Sequence, residues 1–186
     1  MQISQPPEYL DRFRRALDSF APDTSDPILL AVSGGPDSLA LLLLAAEARP
    51  GAVFAATVDH GLRPEAAQEA DFVAHICAGI GVPHLTLRPE TAITGNLQSQ
   101  ARAARYRLLE QAADGQHCTL IATAHHGDDQ LETVLMRLAR GSGIDGMAAI
   151  RSRNGRIIRP MLAFSKAECE DICARAGIDP VRDPSN

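Results

Sequence analysis

The sequence predicts an α/β fold, a parallel sheet with helices on both faces, and three observations predict it. Short apolar runs alternate with longer segments of helical periodicity along the chain. The first of those runs, residues 28–32, is apolar without alternation, as a strand buried on both faces must be. It then breaks at Gly34-Gly35-Pro36 and leads directly into a helical segment.

Each element has its own signal. Residues 7–20 form an amphipathic leading helix, and residues 21–27 a polar linker. Strand 28–32 is followed by a helix over 39–47 and a second strand over 52–58. The helix over 64–78 has Pro64 at a favoured first-turn position and stops at Gly79 and Gly81. A third strand covers 84–87, and Asn96 caps a long helix over 97–113. The fourth strand covers 119–124, and the helix over 128–140 closes at Gly141-Ser142-Gly143. A strand over 156–162 precedes a helix over 165–176, whose Ser165 and Glu168 have the spacing of a capping box. This succession is a Rossmann-like doubly wound parallel sheet.

Bulk properties narrow the class. With 45% hydrophobic and 22% charged residues, the 186-residue chain has the composition of one globular domain rather than a disordered segment. No apolar run reaches bilayer length, and residues 1–11 lack the basic and apolar regions of a secretory signal. The four cysteines, Cys77, Cys118, Cys169 and Cys173, form no Cys-x-x-Cys pair. They read as small buried thiols of a cytoplasmic protein. A net charge of −5 argues against a general nucleic-acid coat. Yet 17 of the 18 basic residues are arginines, clustered at 102–107, 137–140 and 151–159. A local anion-binding face and a merely solvated surface stand level on spacing alone.

The loop Ser33-Gly34-Gly35-Pro36-Asp37-Ser38 carries the first chemistry. Glycines let backbone approach a ligand closely, and the N–H groups of the turn and following helix converge on an anion. Ser33 and Ser38 add hydroxyls. Asp37 would repel a phosphate unless a cation lay between them, so it is a candidate Mg²⁺ ligand. A serine-capped tight turn would suffice to explain a bare Gly-Gly, but not this whole set after a buried strand. The loop is neither a Walker A nor a Gly-x-Gly-x-x-Gly motif. It resembles the PP-loop of ATP pyrophosphatases, which cleave ATP between the α- and β-phosphates.

Three further segments choose among such enzymes. Asp59 and His60 stand at the end of the second strand, where open α/β sheets place ligands. Arg102 and Arg105 share a helix face, with Tyr106 on another. His125, His126, Asp128, Asp129 and Glu132 open the helix after the fourth strand, where packed acids call for a cation, although acids favouring the helix dipole would by themselves explain Asp128 and Asp129. Together with Arg140-Gly141-Ser142-Gly143, Ile158-Arg159-Pro160-Met161-Leu162 and Asp183-Pro184-Ser185-Asn186, these closely resemble the tRNA(Ile)-lysidine synthetases over residues 28–186.

The resemblance implies an adenine nucleotide alpha hydrolase-like PP-loop fold, with residues 1–27 as leading helix and linker and 28–186 as the catalytic domain. It implies ATP and Mg²⁺ as cofactors, with L-lysine and a CAU-anticodon tRNA(Ile) as substrates, in the cytoplasm and away from membranes. The wobble cytidine is adenylated at its carbon-2 oxygen, and the lysine ε-amine then displaces AMP. ATP would contact Ser33, Gly34, Gly35, Pro36, Asp37, Ser38, Asp59, His60 and His125. Catalysis would fall to Asp37, Arg105, Asp129 and Glu132. Which carboxylate holds Mg²⁺ and which the lysine ammonium stays open, and so does a homodimer. Members of that family continue past Asn186 into a helical linker and tRNA-binding domains, so tight tRNA binding by these residues alone is not expected. The rival readings are a tRNA thiolation enzyme, which needs reactive cysteines near the nucleotide, an amidotransferase-type synthetase, and a nucleotide sensor without catalysis.

Overall fold

The computed structural model describes residues 4–59, 61, 65–89, 97–139 and 150–181. His60, Pro64, Asn96 and the glycine-rich stretch after residue 140 lie outside them, as does the closing Asp183–Asn186 motif. The described chain runs α1 (Pro7–Asp18), β1 (Ile28–Ala31), α2 (Pro36–Ala48), β2 (Val53–Val58), α3 (Glu65–Ile80) and β3 (His84–Leu87). It continues as α4 (Leu97–Gly115), β4 (Leu120–Ala122), α5 (Gly127–Ala139), β5 (Arg153–Asn154), β6 (Ile157–Ile158) and α6 (Lys166–Arg175). The strands form one sheet in the order β3-β2-β1-β4-β6-β5. All neighbours are parallel except β5 and β6.

The unbroken apolar run of β1 serves both faces, as expected of a central parallel strand. Ile28, Leu30 and Val32 enter the core with Phe13 and Leu17 of α1, the apolar length of α2, and Ile172 of α6. Leu29 and Ala31 meet Leu109 and Ala113 of α4 on the other face. Leu39 to Ala45 are all buried, so α2 is a core helix rather than an amphipathic one.

Two expectations shift. Helix α2 begins at Pro36 rather than at residue 39, because proline suits the first helical position, where an N–H has no partner anyway. The strand expected over 156–162 is only two residues long, since Pro160 cannot donate to a ladder and starts a 3-10 turn, Pro160–Ala163. Ahead of it, Gly155 at φ +59 turns the chain into the β5–β6 hairpin. The capping box of α6 is complete: Ser165 Oγ accepts from the Glu168 N–H at 3.3 Å, and Glu168 Oε2 accepts from the Ser165 N–H at 2.8 Å.

His84 on β3 meets Thr57 Oγ1 at 2.8 Å, and burial holds its pKa below the ordinary value. Its folded form therefore prefers the neutral ring. That preference stabilises above the unfolded value of about 6.5 and is lost as pH falls through the folded value. Melting curves at neutral and mildly acidic pH should show His84→Gln losing less Tm on acidification than the parent. An equal loss in both would assign the acid sensitivity elsewhere.

Candidate active site

Chain order and strand order part company at β1. After β1 the chain moves outward to β2 and β3, and then returns to β1's other side as β4. Open sheets bind ligands in the crevice at such a switch point, beyond the strands' carboxyl ends. The glycine loop follows β1 and the His125–Asp129 segment follows β4, so the topology brings together two segments far apart in sequence. Between them lies a cavity of about 820 Å³, lined by Ser33, Gly35, Asp37, Arg105, His125 and Asp129 among others.

The loop is held by its own serines. Ser38 Oγ accepts from the Ser33 N–H at 3.1 Å and donates to the Gly35 carbonyl at 3.0 Å, with Ser33 Oγ 3.2 Å away. Ser38 thus shapes the turn, while Pro36 and Ser38 still line the cavity. Gly34 sits behind them at φ +90, where a side chain would be strained, and its carbonyl accepts from the Val181 N–H at 3.0 Å. Gly35 is the N-cap of α2 and no side chain caps that end. The first-turn N–H groups and the helix dipole are therefore presented to the cavity, an arrangement suited to phosphate.

The segment after β4 is fixed as tightly. Gly127 donates its N–H to the Phe164 carbonyl at 2.7 Å, and a Cβ there would come within 3.1 Å of that oxygen. Asp129 Oδ2 accepts from the His126 N–H at 2.8 Å. His125 approaches Thr123 Oγ1 at 3.0 Å through Nδ1. Burial and then the positive charge of Arg159 hold the His125 pKa low, so at neutral pH its ring is uncharged.

His126, named in the motif without a role there, is buried beside three carboxylates. Its Nε2 lies 3.5 Å from Asp37 Oδ2, and its Nδ1 lies 3.8 Å from both Asp128 Oδ2 and Asp129 Oδ2. The Asp37 carboxylate raises its pKa. The only sequence signal for it was a second histidine directly after the strand.

The other expected residues divide. Asp59 is buried at the end of β2, where it accepts from Arg88 Nε at 3.0 Å and the Gly61 N–H at 2.9 Å, and it does not line the cavity. Asp128 turns toward α6 and accepts from the Lys166 N–H at 2.7 Å. Glu132 is exposed on α5, away from the cavity wall. Asp128 and Asp129 hydrogen-bond different amides while both flank His126 Nδ1, Glu132 stands apart from them, and among the described residues no three metal-type ligands gather into a protein-only site. A Mg²⁺ ion nevertheless fits at Asp37, whose buried Oδ1 has no hydrogen-bond partner. Such an ion takes one or two carboxylates and completes its shell with phosphate oxygens and water.

The cavity wall combines Asp37, Glu69, Asp129, Glu170 and Asp179 with Arg105 and Lys166. That excess of carboxylates suits a polyanion only if cations enter with it. Arg105 lines the cavity without an ion pair among the described residues, and burial lowers its pKa. The four cysteines are all buried, and burial pushes the Cys77 and Cys173 thiols up to about 12 and Cys118 to about 11.

Known proteins resemble this chain in sequence and in fold. The tRNA(Ile)-lysidine synthase of Zymomonas mobilis is 49% identical over 166 residues, covering 84% of this chain and 50% of that protein. The Novosphingobium aromaticivorans protein of the same name is 46% identical over 182 residues, covering 94% of this chain and 55% of its own length. The chain thus spans about half the length of the curated relatives it matches. Among solved structures, the U34-tRNA thiolase NcsA of Methanococcus maripaludis, which holds a 4Fe-4S cluster, superposes with a TM-score of 0.79 at 18% identity. It covers 95% of this chain and 66% of the thiolase. The NH3-dependent NAD synthetase of Campylobacter jejuni gives 0.61 at 15%, covering 94% of this chain and 75% of its own. These two likenesses concern the fold. From residue 9 to residue 186 the sequence matches the family described as the PP-loop domain, and the chain belongs to that family.

Proposed function

We propose that this chain is the nucleotide-activating part of a tRNA(Ile)-lysidine synthase. The observation that carries the reading is the uncapped, glycine-started N-terminus of α2, which opens on a cavity shared with Arg105, His125 and Asp129. ATP lies with its phosphates on the 33–38 loop, and the carbon-2 oxygen of the wobble cytidine attacks the α-phosphorus. The bond to the bridging oxygen breaks and pyrophosphate leaves. The ε-amine of L-lysine then adds to carbon-2, loses a proton, and AMP departs with the carbon-2 oxygen.

The loop N–H groups and Arg105 stabilise the charge that develops on phosphate oxygens in the first step. Asp37 would hold a bound Mg²⁺, which would supply charge neutralisation for the phosphates. Neutral His125 lines the nucleotide side without adding charge. Asp129 and the other wall carboxylates are suited to the ammonium of lysine. Asp59, His60 and Glu132 belong to this assignment through sequence likeness alone. The buried, high-pKa cysteines favour lysine ligation over thiol chemistry. No described helix is long and apolar enough to cross a membrane, and a tRNA substrate places the reaction in the cytoplasm.

The test is incubation of the protein with ATP, labelled L-lysine and a transcript of CAU-anticodon tRNA(Ile). Label should enter the RNA only with ATP present, with AMP and pyrophosphate released. Pyrophosphate release driven by a small metabolite, with no lysine in RNA, would sink the assignment.

A further inference from the structure

The arginines that sequence spacing left undecided separate clearly once their partners are known. Arg12, Arg49, Arg88, Arg156 and Arg175 are committed to Glu168, Asp18, Asp59, Asp114 and Asp171 at 2.6 to 3.0 Å. Arg156 also donates to the carbonyls of Thr119 and Cys118, so it clamps the β4 edge to the hairpin. Arg15, Arg102, Arg105, Arg107, Arg151, Arg153 and Arg159 form no ion pair among the described residues, and of these Arg102, Arg105 and Arg159 are the ones whose charge acts on His125.

Those three share one neighbourhood. Arg105 and His125 both line the cavity. Arg102 is one turn before Arg105 on α4, exposed, with its guanidinium 5.2 Å over the Tyr106 ring and Nη2 3.4 Å from the Tyr106 hydroxyl, so Tyr106 shares the face of Arg102 rather than lying on another. Arg159 follows Ile158, whose carbonyl accepts from the Thr123 N–H at 3.0 Å, and Thr123 in turn meets His125. Arg159 is 9% exposed, donates through Nη1 to the Arg151 carbonyl at 2.6 Å, and keeps a buried Nε without a partner. The field is consistent with this placement, since Arg159, Arg102 and Arg105 all act on His125 in the same direction.

Unneutralised guanidiniums on an otherwise acidic protein call for an anion. Arg102 and Arg159 do not line the nucleotide cavity, so the positive arc extends past the space ATP would fill. An anion that continues beyond the cavity is a polymer. The Tyr106 ring beneath Arg102 adds a flat surface of the kind on which unpaired bases stack.

We infer that Arg102, Tyr106 and Arg159, continuing from Arg105, form a phosphate track that guides single-stranded RNA into the cavity beside His125. This rests on the proposed RNA substrate. The track would hold the backbone next to the target base and carry no sequence information of its own.

The test measures affinity for a CAU anticodon stem-loop transcript over a range of salt, and ATP affinity in parallel, for the protein and its variants. Arg102→Ala should weaken RNA binding about tenfold. It should lower the slope of log Kd against log salt by about 0.7 to 0.9, the share of one phosphate contact, with ATP affinity retained. Arg102→Lys should recover most of the slope, and Tyr106→Leu should weaken binding with the slope unchanged. Arg159→Met should reproduce the Arg102→Ala result, and because Arg159 is buried its melting curve is recorded first. An unchanged RNA slope in Arg102→Ala, or an equal loss of ATP affinity, overturns the track while leaving lysine ligation standing. All of these measurements use the full-length protein, and if it neither binds the transcript nor ligates lysine to tRNA, the functional reading fails and the track with it.

Discussion

Asp37→Ala is expected to lower ATP–pyrophosphate turnover by about 10²- to 10³-fold or more, the size of effect seen when a charge-stabilising group leaves an active site. Asp37 stands in the first turn of α2, beside the N–H groups that would hold phosphate. A carboxylate at a helix N-terminus ordinarily stabilises the helix through the dipole. Here it also faces the space for a polyanion, and its Oδ1 is buried without a partner. Both features resolve if a divalent cation sits between Asp37 and the phosphates. Asp37→Asn separates charge from shape: it keeps the size and a contact to His126 but loses the negative charge. Its turnover should fall nearly as far as that of alanine, and its Mg²⁺ requirement should rise. Melting curves verify that both variants fold. Turnover retained in Asp37→Ala would show that the metal role assigned to this carboxylate is wrong.

Much of this frame can be seen in the sequence because it rests on local rules. A short apolar run that ends at a glycine turn reads as a buried parallel strand, and β1 falls at residues 28–31, with β3 at 84–87 as a half-buried edge strand. The capping box at Ser165 and Glu168 is a four-residue motif and needs no tertiary information. The Asn154-Gly155 turn is equally local, and it sets the hairpin that ends in the two-residue β6.

The tertiary partners of polar groups obey no such local rule. Helical spacing places Asp128, Asp129 and Glu132 on one side of α5, yet Asp128 is used by the amide of Lys166 and Asp129 by that of His126. The Asp129 bond is local, an N3 carboxylate turning back to the N–H just before the helix, whereas the Asp128 bond is tertiary, because Lys166 begins α6. The same holds for the arginines, where Arg156 and Arg159 lie three residues apart. One is satisfied by Asp114 and two carbonyls, while the other retains an unpartnered Nε.

Arg49→Ala is expected to cost about 3 kcal/mol of stability, toward the low end for a broken buried ion pair because the Asp18 partner is half exposed. For a domain of this size that is a fall in Tm of about 6–12 °C. Nothing around Arg49 in the sequence marks it, and it stands just past α2 where a solvated arginine would be unremarkable. In the fold its side chain is 1% exposed. Its Nη2 donates to Asp18 Oδ1 and the Ala21 carbonyl, both at 2.6 Å, and its Nη1 to the Asp23 carbonyl at 2.7 Å. One planar fork thus ties the end of α2 to the segment between α1 and β1. Alanine would strand those carbonyls and leave a void. Arg49→Lys tests the geometry separately from the charge, because an ammonium cannot reach all three acceptors in one plane. It should fall between the parent and the alanine variant. A lysine variant as stable as the parent would show that charge alone matters at this position. ATP–pyrophosphate turnover measured well below the melting range should be little changed in either variant, since Arg49 anchors the far end of the helix whose first turn holds the loop.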